Sequence, residues 1–92
     1  MNETEKGRAL GLSDTEIMYI VDYAENIADA TACQKAIDKL DEWKNKAPLN
    51  ALVDAYAMYY HVAQQALEAL EKLGRTQTEV MLLAYKIMNN AK

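Results

Sequence analysis

A single cysteine, a single histidine, a single proline and three glycines in 92 residues exclude several classes of protein at once. One Cys cannot form an intrachain disulfide, and with one His it cannot assemble a Cys/His zinc site. So little Gly and Pro argues against a turn-rich β-sandwich and against a glycine loop that cradles phosphate. No apolar run approaches the ~20 residues needed to cross a bilayer. The first twelve residues, MNETEKGRALGL, have neither a long apolar core nor a small-residue cleavage site, so no signal peptide is expected and the cytoplasm is the default compartment. Charge of one sign is also in short supply, with 10 Lys and Arg against 14 Asp and Glu, a formal net charge of −4. That balance disfavours direct contact with nucleic-acid phosphates or anionic lipid.

What is present is a globular composition, 51% hydrophobic and 26% charged, in a length that suits one domain. Ser13-Asp14-Thr15-Glu16 reads as a capping box, in which a hydroxyl and a carboxylate three residues apart each satisfy an orphan backbone N–H. Leu12 and Ile17 stand at the staple positions flanking it. Thr76-Gln77-Thr78-Glu79 is a second strong box, and Thr31-Ala32-Cys33-Gln34 a weaker one. Pro48 suits a first helical turn, and Gly74 suits the residue just past a helix end.

Apolar spacing divides the chain into four helical segments. Ile17, Ile20, Val21, Ala24, Ile27 and Ala28 form one stripe, and Cys33, Ala36, Ile37, Leu40 and Trp43 another. The two are not collinear. At about 100° per residue the apolar direction turns by roughly 160° near Ala30, so the spacing predicts a helix break at about Asp29 to Thr31. Helices are expected at about 14–29, 32–46, 48–73 and 77–91, with residues 1–12 as a flexible arm docked through Leu10 and Leu12. The fold class is all-α, a compact four-helix bundle with a short N-terminal arm. Trp43, the largest apolar side chain, is expected in the core.

Leu73-Gly74-Arg75-Thr76, between two helices, resembles the turn of the helix-turn-helix DNA-binding unit. Val80 and Leu83 fall where that family keeps apolar residues. The resemblance covers about twenty residues and implies that Gln77, Thr78, Met81, Leu82, Tyr85 and Lys86 face the major groove. Arg75 departs from it, because the family has an apolar residue just after the Gly. Residues 68–92 hold four bases (Lys72, Arg75, Lys86, Lys92) against three acids (Glu68, Glu71, Glu79), too even a balance for strong phosphate contact.

Candidate chemistry is sparse. His61 shares the polar side of its helix with Asp54, Gln65, Glu68 and Lys72, and no nucleophile accompanies it. Cys33 lies on an apolar stripe and reads as core. No metal set or cofactor motif is present, and none is expected. The first helix is more informative: Asp14, Glu16, Asp22, Glu25 and Asp29 give it five acids and no base. Asp14 and Glu16 suit the N-terminal end of the helix dipole, which leaves Asp22, Glu25 and Asp29 as the better functional candidates. Met18, Tyr19 and Tyr23, with Leu82 and Tyr85, fall off the main stripes and suit an interface.

These observations lead to a non-enzymatic protein-binding module. The acids Asp14, Asp22, Glu25 and Asp29 would steer a partner with a basic surface, and Met18, Tyr19, Tyr23, Leu82 and Tyr85 would supply affinity or a homodimer contact. Small acidic inhibitors, immunity factors and anti-CRISPR proteins share this size and charge, and the comparison rests on those two properties alone. A DNA-binding regulator using the last two helices is the alternative.

Overall fold

The computed structural model of the chain describes residues 2–41 and 46–88. Four helices form, in the order α1 (Glu3–Ala9), α2 (Asp14–Asp41), α3 (Lys46–Lys72) and α4 (Gln77–Met88). They pack on one another, and the described residues contain no strand. The all-α four-helix class expected from the sequence is therefore the one that forms. Two of its elements differ from expectation.

The N-terminal segment is helical. Asn2 accepts the Glu5 backbone N–H at 2.8 Å, and Glu5 accepts the Asn2 N–H at 3.2 Å, which closes a capping box on α1. Gly11, at φ 82°, ends the helix, with Leu12 N–H donating to Gly7 O and Gly11 N–H to Arg8 O. Leu12 is buried as expected, while Leu10 is exposed. The arm is thus a docked helix, with Gly7 pressed against Ile17.

The second difference is the absent break. α2 runs unbroken through Asp29, Ala30 and Thr31. Thr31 is no cap: its hydroxyl donates back to the Ile27 carbonyl at 2.9 Å, one turn earlier in the same helix. The turned stripe has another cause. Tyr19, Tyr23, Asn26, Ala30, Cys33 and Ile37, at alternating steps of four and three, are all buried or half-buried. That is a heptad seam. Leu49, Leu52, Tyr56, Tyr59, Ala63, Ala66 and Leu70 make the matching seam on α3. The stripe Ile17/Ile20/Ala24/Ile27 is a second contact face, packed beside α1 and α4. α2 therefore carries two overlapping stripes, and the sequence pattern changes direction where only the seam continues.

The α2–α3 hairpin is the long axis of a molecule measuring 48 × 33 × 18 Å. Its core lies at one end, where Ile20, Leu70, Val80 and Ile87 are fully buried. There α3 stops in a Schellman turn, with Gly74 at φ 93°, Arg75 N–H on Leu70 O and Gly74 N–H on Glu71 O. Both strong capping boxes form: Glu16 N–H donates to Ser13 Oγ at 3.1 Å, and Glu79 N–H to Thr76 Oγ1 at 3.2 Å. Residues 89–91, expected in the last helix, and the Trp43 side chain, expected in the core, lie outside the described residues.

Candidate protein-binding surfaces

The five acids in the first half of α2 divide into two groups. Asp14 and Glu16 are neutralised from outside the helix. Arg8 of α1 donates from Nε and Nη2 to the two Asp14 oxygens, each at 3.0 Å. That contact holds the Asp14 carboxyl below its ordinary range. Arg75 donates from Nε to Glu16 Oε2 at 2.9 Å, across 59 residues of sequence. Its guanidinium, helped by the Ser13 backbone N–H, pulls the Glu16 carboxyl down as well. The helix dipole is thus not the sole explanation for these two acids.

Asp22, Glu25 and Asp29 are exposed and form no ion pair among the described residues. Because α2 continues to Asp41, Asp29 is mid-helix and meets no unfavourable C-terminal dipole. Seven residues separate Asp22 from Asp29, about 10 Å along the axis. Met18 stands on the same strip, 51% exposed. A cleft of about 330 Å³ opens beside it between α1 and α2, floored by Ile17 and Val21 and edged by Glu3, Asp14 and Asp22.

The expected aromatic patch does not assemble as one surface. Tyr23 is buried, 7% exposed, and borders the groove against α4, and Tyr19 is half-buried beside Ala69 of α3. Tyr19 and Tyr23 thus line different clefts, and Met18 belongs with the acids. Leu82 and Tyr85 are exposed as expected, at 57% and 66%, but on α4. At about 100° per residue, Asp22 and Asp29 stand roughly 140–160° round α2 from Ile27, the residue that borders the α4 groove. Glu25 and Asp29 nevertheless line a cleft with Ala24 and with Met88 of α4, so the strip borders the α4 groove on that side. Sequence spacing missed one contributor: Glu3, whose position depends on the capping box that folds α1.

Gln77, Thr78, Met81, Leu82, Tyr85 and Lys86, the positions implied by the helix-turn-helix resemblance, are all exposed. Lys86 is the sole cation among them. Arg75 is held by Glu16 and, at 3.5 Å, by Glu79. His61 is exposed on α3 with Asp54, Gln65, Glu68 and Lys72 and makes no hydrogen bond among the described residues. Cys33 is half-buried in the seam. No group of three or more His, Cys, Asp or Glu able to hold a metal occurs among the described residues. No helix of those residues is long and apolar enough to cross a membrane.

Comparison of the chain with protein-family models, with curated proteins and with solved structures finds no match.

Proposed function

We propose that this chain is a non-enzymatic protein-binding module whose α2 acid strip docks on a basic surface of a partner protein and occludes it. The observation that carries the reading is the row of unpaired carboxylates Asp22, Glu25 and Asp29, with exposed Met18 at its N-terminal end, on a helix whose other two N-terminal acids are neutralised by Arg8 and Arg75. A purely solvated face gains from interleaved bases at four-residue spacing, as the distal half of α2 has with Lys35 and Lys39 beside Asp38. The first half forgoes this, and the resulting field speeds encounter with a positive surface. Met18 then supplies an apolar contact at the N-terminal end of the charged row.

The experiment is co-purification from the source cells with tagged wild type and with Asp22→Lys/Glu25→Lys/Asp29→Lys. The reading expects a partner that is retained by wild type at low salt, released at high salt and lost by the triple variant, whose melting curve is unchanged. Equal retention of the same partner by both chains, insensitive to salt, refutes it.

A further inference from the structure

On its α4 side the acid strip runs into an apolar groove. Glu25 and Asp29 line a cleft of about 470 Å³ with Ala24 and with Met88 of α4. Ala24 and Met88 also line the neighbouring cleft of about 300 Å³ between α2 and α4, where the charged residues stop and Tyr23, Ile27, Met81 and Tyr85 take over. Met81 and Tyr85 leave more than half of their area in solvent. Ile27 carries the surface on to Tyr56 and Tyr60, where Lys35 is the single cation lining these clefts. The two charged residues of α4 lie elsewhere. At about 100° per residue, Glu79 and Lys86 stand roughly 150–170° round the helix from the midline of Met81, Ala84, Tyr85 and Met88. Glu79 is also engaged by Arg75 at 3.5 Å. The groove is therefore apolar along its length, with a pair of carboxylates on one edge.

We propose that this groove seats an amphipathic helix of a partner protein, its apolar face against Ile27, Met81, Tyr85 and Met88 and a Lys or Arg flank against Glu25 and Asp29. Charge sets the sign of that flank. Neither carboxylate forms an ion pair among the described residues, and a cation brought to them beside an apolar wall is less screened than in open water. Backbone chemistry selects a helix. Both walls are helices whose central N–H and C=O groups are used within their own ladders, so the groove offers an extended strand no backbone partner. A helix arrives with its own backbone satisfied. Met81 and Met88 suit such a seat, because an unbranched thioether side chain adapts to the shape laid against it. The inference goes beyond the acid-strip reading, since it needs neither Asp22, Met18 nor α1. A groove that takes no helix leaves the strip untouched, and a strip that docks nothing leaves the groove.

Calorimetric titration of the full chain with three synthetic peptides of about 18 residues tests it. The first places Leu at i, i+3, i+4 and i+7 with Lys flanking that face, the second replaces each Lys by Glu, and the third scrambles the first. The Lys peptide should bind with a dissociation constant under about 500 µM, the Glu and scrambled peptides at least ~10-fold more weakly. Met81→Ser/Tyr85→Ser and Glu25→Gln/Asp29→Asn should each weaken the Lys peptide ~10-fold or more. Glu3→Gln/Asp22→Asn removes the same charge from the α1–α2 cleft and should leave binding unchanged. All six positions are exposed, and circular dichroism confirms that each variant folds. A wild type that does not bind the Lys peptide by about 500 µM overturns the proposal, whether the groove is empty or filled by a second copy of the chain. So does binding that Met81→Ser/Tyr85→Ser leaves intact, or that Glu3→Gln/Asp22→Asn weakens as much as Glu25→Gln/Asp29→Asn.

Discussion

Arg75 and Glu16 join the start of α2 to the turn between α3 and α4. The guanidinium Nε donates to Glu16 Oε2 at 2.9 Å, while Glu16 Oε1 accepts the Ser13 backbone N–H at 3.2 Å. One carboxylate thus completes the cap of α2 and anchors the turn between α3 and α4. The arginine that interrupts the helix-turn-helix pattern is there for this contact. Glu16→Ala removes both roles and should destabilise the fold by about 1–2 kcal/mol. In a double-mutant cycle with Arg75→Ala, followed by urea unfolding, the coupling should be about 0.5–1 kcal/mol, since the pair is only partly shielded from water.

The same contact gives a pH dependence of defined sign. Arg75 holds the Glu16 carboxyl below the ordinary glutamate range, and the Thr76 backbone N–H does the same for Glu79. A carboxyl with a lower pKa in the folded than in the unfolded chain stabilises the fold fully above its unfolded value, about 4.3, and loses that contribution as pH falls through the folded value. The melting temperature should be steady from about pH 7 to pH 5 and fall below that. Glu16→Gln should start lower and flatten the acid limb. A slope in Glu16→Gln as steep as that of wild type would remove Glu16 from the account.

Gly7 is fixed by Ile17. A Cβ at position 7 would overlap Ile17 Cγ1 and lie 2.7 Å from Cδ1, and Ile17, 4% exposed, has no room to turn aside. Gly7→Ala should therefore cost about 1–3 kcal/mol from overpacking, against a gain of ~1 kcal/mol in helix propensity. Ile17→Ala should cost less in the Gly7→Ala background than alone. Chemical denaturation of the four chains of that cycle measures the difference.

Thr31→Ala distinguishes a continuous α2 from a broken one. A cap would lose about 1 kcal/mol on this change, whereas an exposed mid-helix Thr should be neutral or gain up to about 0.5 kcal/mol. Thr31→Pro, in contrast, should cost about 3 kcal/mol or more by breaking the hydrogen-bond ladder. Thermal melts of both variants give the answer.

Local chemistry was the legible part of the sequence. The Ser13 and Thr76 boxes and the Gly74 stop depend on residues within a few positions of one another, and all three form as read. The break near Ala30 fails because a stripe reports a direction without naming the neighbour it faces. α2 meets α1 and α4 along one line and α3 along another, and the two overlap between Ile17 and Ile27. Tyr19 and Tyr23 looked surplus for the same reason: they begin the seam that Ala30, Cys33 and Ile37 continue. Asn2 and Glu5 also have capping-box spacing, a signal that reading residues 1–12 as a flexible arm passes over. The pairing of Asp14 with Arg8 and of Glu16 with Arg75 needed the tertiary fold.

Hydrogen–deuterium exchange on the complex co-purified with the tagged chain, compared with the chain alone, most directly tests the claim that the acid strip is the partner face. Slowed exchange concentrated in residues 18–29 of α2 and in adjoining α1 is the predicted result. Protection confined to α3 between residues 54 and 72, with α2 exchanging as it does in the free chain, would contradict it.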